Sequence, residues 1–391
     1  MNKEIIRILD TTLRDGEQTP GVNFMARHKL KLAKKLDKLG VDIIEAGFPA
    51  NSREEMEAVS AIAFQVRRPI ICALARVVPS DIEAAWQGVK DAAHPRIHVF
   101  ISSSDIHLAH QLKKDREEVV RMAFLGVNQA KEYTGDIEFT PMDASRSDPK
   151  FVYELAEAAI QAGATTINIP DTVGYAMPDE FASFISNILN DKNVRNIAKA
   201  VVSIHCHNDL GMATANSLMA VKAGARQVEG CINGIGERAG NAALEEIVMA
   251  IHTREDYLGF ETNINTKELY STSRLVKKMT KILVQPNKAV VGRNAFRHQS
   301  GVHQDGMTKD RRTFEIMNPV QIGRKSTEMI IGKTSGKSGV HAKLKEIGIT
   351  LNKDSQKFGV IYEAIKQKAN NGGVDDKTMK EIAERALLDL E

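Results

Sequence analysis

Cysteine is scarce in this chain of 391 residues: Cys72, Cys206 and Cys231 are the only three. They stand far apart and odd in number, which excludes a disulfide framework, a zinc ribbon and a paired redox motif. Charge of one sign is also missing. The formal net charge of +3 is too small to predict a nucleic-acid or membrane-surface partner. No apolar run approaches the ~20 residues of a membrane span. The N-terminus reaches a polar motif by Asp10, which leaves no room in front of it for a signal peptide. These absences together predict a soluble cytoplasmic protein. With 42% hydrophobic and 26% charged residues, the composition is that of a globular enzyme with a core large enough to need no staples.

What the chain does contain is alternation. Short Ile- and Val-rich runs occur at 5–9, 41–45, 70–74, 97–101, 137–140, 165–169, 201–205 and 227–232. Amphipathic helical stretches lie between them, among them 26–38, 52–66, 116–133, 150–162, 178–189, 213–223 and 242–251. Strands alternating with helices make a parallel sheet. Eight such units in roughly 250 residues are the size of a closed (β/α)8 TIM barrel. A doubly wound open sheet is the alternative. After about Tyr257 the alternation stops. The expected organisation is a barrel over 1–260 and an appended region of linker helices and a helical subdomain over 261–391, its last two helices near 355–370 and 376–390.

The unusual polar residues cluster just after each strand, the side of a barrel that carries chemistry. In His205-Cys-His207, at the end of the seventh strand, period-two alternation sends both imidazoles one way and Cys206 the other. Two like-directed imidazoles form half a metal site; two hydrogen-bonded strand-end histidines are the other reading. Asp15, past the first strand, can supply a carboxylate from a neighbouring sector of the rim, and Asn241, opening the last barrel helix, a carbonyl oxygen. Two His with oxygen donors and open positions suit Mn2+, Zn2+, Fe2+ or, less well, Mg2+. Such a site can act as a Lewis acid on a chelating 2-oxo acid.

Arg14 is placed to meet negative charge on a keto oxygen; the plainer reading is a surface loop arginine. Thr172 offers a hydroxyl for a carboxylate or, equally, a helix cap. The glycine-rich stretch Asn233-Gly-Ile-Gly-Glu-Arg-Ala-Gly-Asn241 follows the eighth strand, not the first, and lacks dinucleotide-fingerprint spacing. It reads as a tight loop that brings backbone close to the metal or to the phosphates of a thioester cofactor. His298 and His303, outside the barrel, are structural loop histidines or a general acid or base.

Asp10-Thr-Thr-Leu-Arg-Asp-Gly-Glu-Gln18, Glu45-Ala-Gly-Phe-Pro49, Asn168-Ile-Pro-Asp-Thr-Val-Gly174, His205-Cys-His-Asn-Asp-Leu-Gly211 and Ser300-Gly-Val-His-Gln-Asp-Gly306 resemble the motifs of the 2-isopropylmalate synthase and homocitrate synthase family. These are metal-dependent TIM barrels that condense acyl-CoA with 2-oxo acids. The likeness runs from about Leu9 to Gly339 and lies nearest the 2-isopropylmalate synthases. It implies a divalent metal (Mn2+ or Mg2+, with Zn2+ the further option) on Asp15, His205 and His207, with Asn241 close by. It implies Arg14 and His303 in catalysis, and Arg14, His107, Thr140, Asn168 and Thr172 around the substrate. The implied substrates are acetyl-CoA and 2-oxoisovalerate, in leucine biosynthesis. A homodimer is also implied, in which the appended region reaches the partner's barrel.

Citramalate- or homocitrate-type condensation, a metal-barrel lyase, and an impaired paralogue acting as a binding or regulatory partner are the competing readings. Two departures sustain the last. The family usually carries Glu at the position of Met142 and Tyr at that of Phe314; Met cannot ionise and Phe has no hydroxyl. The chain also stops near where the family's leucine-binding regulatory domain would begin, so no feedback inhibition by leucine through that domain is expected.

Overall fold

The structure is a computed structural model that describes residues 3–388. Eight parallel strands close into a barrel: β1 (Arg7–Asp10), β2 (Ile43–Gly47), β3 (Ile70–Arg76), β4 (Pro95–Ser102), β5 (Ile137–Met142), β6 (Thr166–Asp171), β7 (Val201–Cys206) and β8 (Gln227–Gly230). The seam is the pairing of β1 with β8, in register from Arg7 opposite Gln227 to Asp10 opposite Gly230. All eight strands read from the sequence are present, with shifted ends. Ile5 lies outside β1, in a two-residue pairing of Glu4–Ile5 with Phe260–Glu261.

Between the strands run α1 (Ala26–Leu39), α2 (Arg53–Gln65), α3 (Pro79–Val89), α4 (Arg116–Lys131), α5 (Pro149–Ala162), α6 (Pro178–Asn190), α7 (Ala213–Ala223) and α8 (Leu244–Thr253). α1 shows why they fold. Lys29, Leu32, Ala33, Leu36 and Leu39 recur at helical spacing and are buried, most of the remaining positions being charged and facing outward. α2 starts where the Ser52 hydroxyl accepts from the Glu55 N–H at 3.0 Å, a cap that Ala in its place would forfeit for ~1 kcal/mol. α3 was not among the helices read from the sequence; Pro79 in its first turn supplies a start signal and it buries Ile82, Ala85 and Val89.

The strands are buried on both faces, so the outer faces carry Ile, Val and Ala against the helices. The barrel interior is polar: Glu45, Arg96, His98, Glu138, Thr140, Asn168, Ser203, Gln227 and Glu229 are all buried. They are tied to one another, as Arg96 Nη1 to Glu138 Oε2 at 2.9 Å illustrates. Buried charge persists only when so partnered.

The chain divides into two compact units after Leu283. α9 (Leu269–Thr280), read from the sequence as part of the appended region, belongs to the first unit, because its buried face packs on α1. The second unit carries α10 (Gly301–Lys309), α11 (Lys337–Glu346), α12 (Gln356–Asn370) and α13 (Asp376–Leu388). Its own core is built on Ile331, Val340, Leu344, Phe358, Ile361, Ile365 and Met379.

Candidate active site

The turn after β1 carries Asp15 inward. The Asp15 N–H donates to Thr11 Oγ1 at 3.2 Å, and Thr11 Oγ1 in turn donates to Glu45 Oε2 at 2.6 Å. At the end of β7, alternation puts His205 and His207 on the same side, their Nε2 atoms 3.2 Å apart. Asp15 Oδ2 stands 3.4 Å from the first and 3.5 Å from the second. One ligand atom from each of the three lies within 4.8 Å of the others, and all three residues are buried. Cys206 is buried too, on the opposite face.

The electrostatics favour positive charge here. Burial works against a charged His205, but hydrogen bonding and attraction from Asp15 and Glu229 raise its pKa to about 9. Burial would raise the Asp15 pKa; Arg14 and the two imidazoles outweigh it and hold the carboxyl well below its usual range. Asn241 lies three residues before α8, in a bridge with His207, and not at the helix start as read from the sequence. Its Nδ2 donates to Cys231 Sγ at 3.2 Å, while its buried Oδ1 has no hydrogen-bond partner among the described residues. Gly236 lets the loop close over this group: at φ +149, an added Cβ would meet Asn241 Nδ2 and Asp15 Oδ1, each at 2.7 Å.

Arg14 is held from two sides, by Glu45 Oε2 at 2.6 Å and Asp15 Oδ2 at 3.0 Å. Burial opposes its charge, yet Glu45 and Asp15 keep it firmly protonated. Glu45 also meets His98 Nδ1 at 2.8 Å, and the far nitrogen of that ring meets Thr140 Oγ1 at 2.6 Å. Asn168 Nδ2 donates to the same hydroxyl at 2.9 Å. The Thr172 hydroxyl accepts from the Asp143 N–H at 2.9 Å, so its proton remains available to a ligand.

These groups share one cavity of about 210 Å3. Arg14, Asp15, His205, His207, Thr140, Asn168 and Thr172 line it, with an apolar wall of Phe48, Leu74, Phe100, Met142 and Pro170. His107 does not line it; its short helix turns Nδ1 toward Asp143 Oδ2, 3.7 Å away, and Leu74, Phe100 and His98 form the wall instead. His303 belongs to the second unit, where its exposed ring lies 4.2 Å from that of Phe314. His98 and Glu229 were missed in the sequence. The available signal was an ionisable residue in mid-strand: His98 in an Ile/Val-rich run and Glu229 before Gly230, each on an interior-facing position.

A family profile described as HMGL-like matches residues 5–276, and one described as homocitrate synthase post-HMGL domain-like matches 290–373. The chain is 53% identical over 385 residues to the 2-isopropylmalate synthase of Carboxydothermus hydrogenoformans, covering 98% of this chain and 75% of that protein. It is 56% identical over 362 residues to the 2-isopropylmalate synthase of Methylacidiphilum infernorum, covering 92% and 71%. Among solved structures, the HMG-CoA lyase of Bacillus subtilis aligns with a TM-score of 0.61 at 21% identity, over 73% of this chain and 97% of that one. That likeness concerns the barrel alone. The interior triad, the pocket and these relatives point one way: the chain belongs to the 2-isopropylmalate synthase family.

Proposed function

We propose that this chain condenses acetyl-CoA with 2-oxoisovalerate and water, giving 2-isopropylmalate and CoA. The observation that carries the reading is the meeting of Asp15, His205 and His207 in a pocket with an apolar wall. The donor set fits a divalent cation (Mn2+ or Mg2+, with Zn2+ the further option). Two imidazole nitrogens and a carboxylate oxygen gather at one point, and the Asn241 Oδ1 is buried without a partner among the described residues. When bound, such an ion supplies Lewis acidity at the keto oxygen.

The chain's own residues do the rest. Arg14, immobilised by Glu45 and Asp15, stabilises the negative charge that develops on the keto oxygen during attack. Thr172 donates its hydroxyl proton to the carboxylate of the oxo acid. Thr140, held by His98, and Asn168, bonded to the Thr140 hydroxyl, border the substrate, while Phe48, Leu74 and Met142 receive the isopropyl group and keep water from it. His303 serves in proton transfer, as the family resemblance implies, in a cytoplasmic homodimer whose appended region reaches the partner's barrel.

A second carboxylate, as in 2-oxoglutarate, fits poorly. Of the arginines lining the pocket, Arg14 is engaged by Glu45 and Asp15, and Arg238 by Asp209 at 2.9 and 3.0 Å.

The test is to incubate the protein with Mn2+ or Mg2+, acetyl-CoA and a panel of 2-oxo acids, following free CoA with a thiol reagent. Fastest turnover is expected with 2-oxoisovalerate; a clear preference for pyruvate or 2-oxoglutarate would overturn the assignment. Met142→Glu with Phe314→Tyr should raise the rate roughly tenfold or more if the two departures limit proton handling. An unchanged rate would show that they do not.

A further inference from the structure

The barrel interior holds a line of polar side chains that the condensation leaves without a role. Arg96 can only donate, and its Nη1 reaches Gln227 Oε1 at 3.0 Å and Glu138 Oε2 at 2.9 Å. That contact dictates how the Gln227 amide is turned: its Nε2 faces Glu138 Oε1 at 2.8 Å and Ser203 Oγ at 2.9 Å. The Ser203 hydroxyl, accepting from Gln227, must spend its single proton on Glu229 Oε1, 3.1 Å away. Glu229 is thereby aimed. Its other oxygen stands 3.2 Å from His205 Nδ1, and among the described residues no other group offers either of these two buried atoms a hydrogen bond. The opposite nitrogen of the same ring is the one that faces Asp15 and His207.

We infer that Glu229 is a positioning residue for the cation, oriented through Ser203 and Gln227 by Arg96. Accepting the Nδ1–H of His205 fixes one tautomer, leaves the Nε2 lone pair toward Asp15 and His207, and makes the imidazole a stronger donor. The carboxylate also adds negative charge behind the ring. Arg14 and His205 already interact electrostatically with the buried Glu229, and a cation on the far side of His205 adds to the positive charge that this carboxylate faces. The inference rests on the reading of Asp15, His205 and His207 as the cation's ligands.

The experiment compares full-length parent protein, Glu229→Gln, Ser203→Ala and His207→Ala. Mn2+ affinity is measured by competition with a fluorescent chelator, the visible spectrum is recorded with Co2+, and the cation-free melting temperature is taken. Glu229→Gln, nearly isosteric, should bind Mn2+ about 10- to 100-fold more weakly and shift the Co2+ bands, with an unchanged cation-free melting temperature. Ser203→Ala should weaken binding by a smaller factor in the same direction. Parent-like affinity and spectrum in Glu229→Gln, while His207→Ala abolishes binding, would overturn the positioning role and leave the ligand set standing. Unaltered affinity with a lowered melting temperature would overturn it in favour of a purely structural role. A parent protein that binds neither ion would remove the ligand set itself.

Discussion

At the scale of single residues, the buried acids of the barrel strands behave in opposite ways according to their partners. Glu45, facing Arg14 and His98, is held below its usual pKa range against the effect of burial. Asp10, at the end of β1, accepts from the Thr12 N–H and hydroxyl, each at 2.9 Å. Burial dominates there and raises its pKa from 3.8 to about 7. The folded protein therefore holds a proton on Asp10 over a pH range in which the unfolded chain has released it. Asp10 thus lowers stability progressively as pH rises from about 4 to about 7, and its full penalty remains above that. Asp10→Asn keeps an oxygen for the Thr12 N–H and cannot ionise. Denaturant titrations should show it gaining on the parent by up to roughly 1.4 kcal/mol per pH unit across that window. A pH-independent difference would refute the assignment.

How much of the site could be read in advance follows the same division. Asp15, His205, His207, Arg14 and Thr172 stand in polar motifs just past strand ends, where position alone signals exposure to the barrel mouth. His98, Glu138 and Glu229 sit inside apolar strands, and their roles depend on cross-barrel partners such as Gln227 with Glu138, 89 positions apart. No local pattern displays that pairing. His107 shows the limit of a motif taken alone: the left-handed turn at Asp143 (φ 71) and the short helix around His107 bring those two residues to each other, a pairing that the sequence does not display.

Among the elements, the loop from Asn233 to Asn241 is held at several points. Its first residue is held by Ser273, at 2.5 Å from hydroxyl to side-chain oxygen, and Gly236 donates its N–H to Thr19 Oγ1 at 2.8 Å. Gly236→Ala should cost ~1–3 kcal/mol of stability and at least about tenfold in Mn2+ affinity, because the methyl group intrudes between Asn241 and Asp15. Gly21→Ala is the control: its φ is also positive, at +86, but nothing lies within 4 Å of the added carbon. It should pay for backbone strain and leave the ion's affinity alone. Equal affinity losses in both would show that proximity to the ligands is not the cause. The strands themselves were legible because a parallel barrel buries both faces and concentrates Ile and Val. α3 was not, since its apolar face is a short run of Ile82, Ala85 and Val89 with Trp86 among them.

For the whole molecule, each compact unit has its own buried core. Phe358, fully packed within the second core and edge-on to His341 with ring centres 5.5 Å apart, is a lever on that unit. Phe358→Ala should cost about 3–5 kcal/mol there. Calorimetry should then separate an early transition from a later one, with Mn2+ affinity at the barrel retained. A single shifted transition with loss of the ion's affinity would show the two cores to be one cooperative block.

The β1–β8 seam has a consequence for how the protein is made. Closure brings the Ile232 N–H to the Thr12 hydroxyl, two positions 220 residues apart. Asp15 leaves the ribosome early, and the histidines it needs follow only when the barrel is nearly complete. Until the last strand docks against the first, the nascent polypeptide owns the ligands and yet no site, so ion capture can report the moment at which the barrel closes.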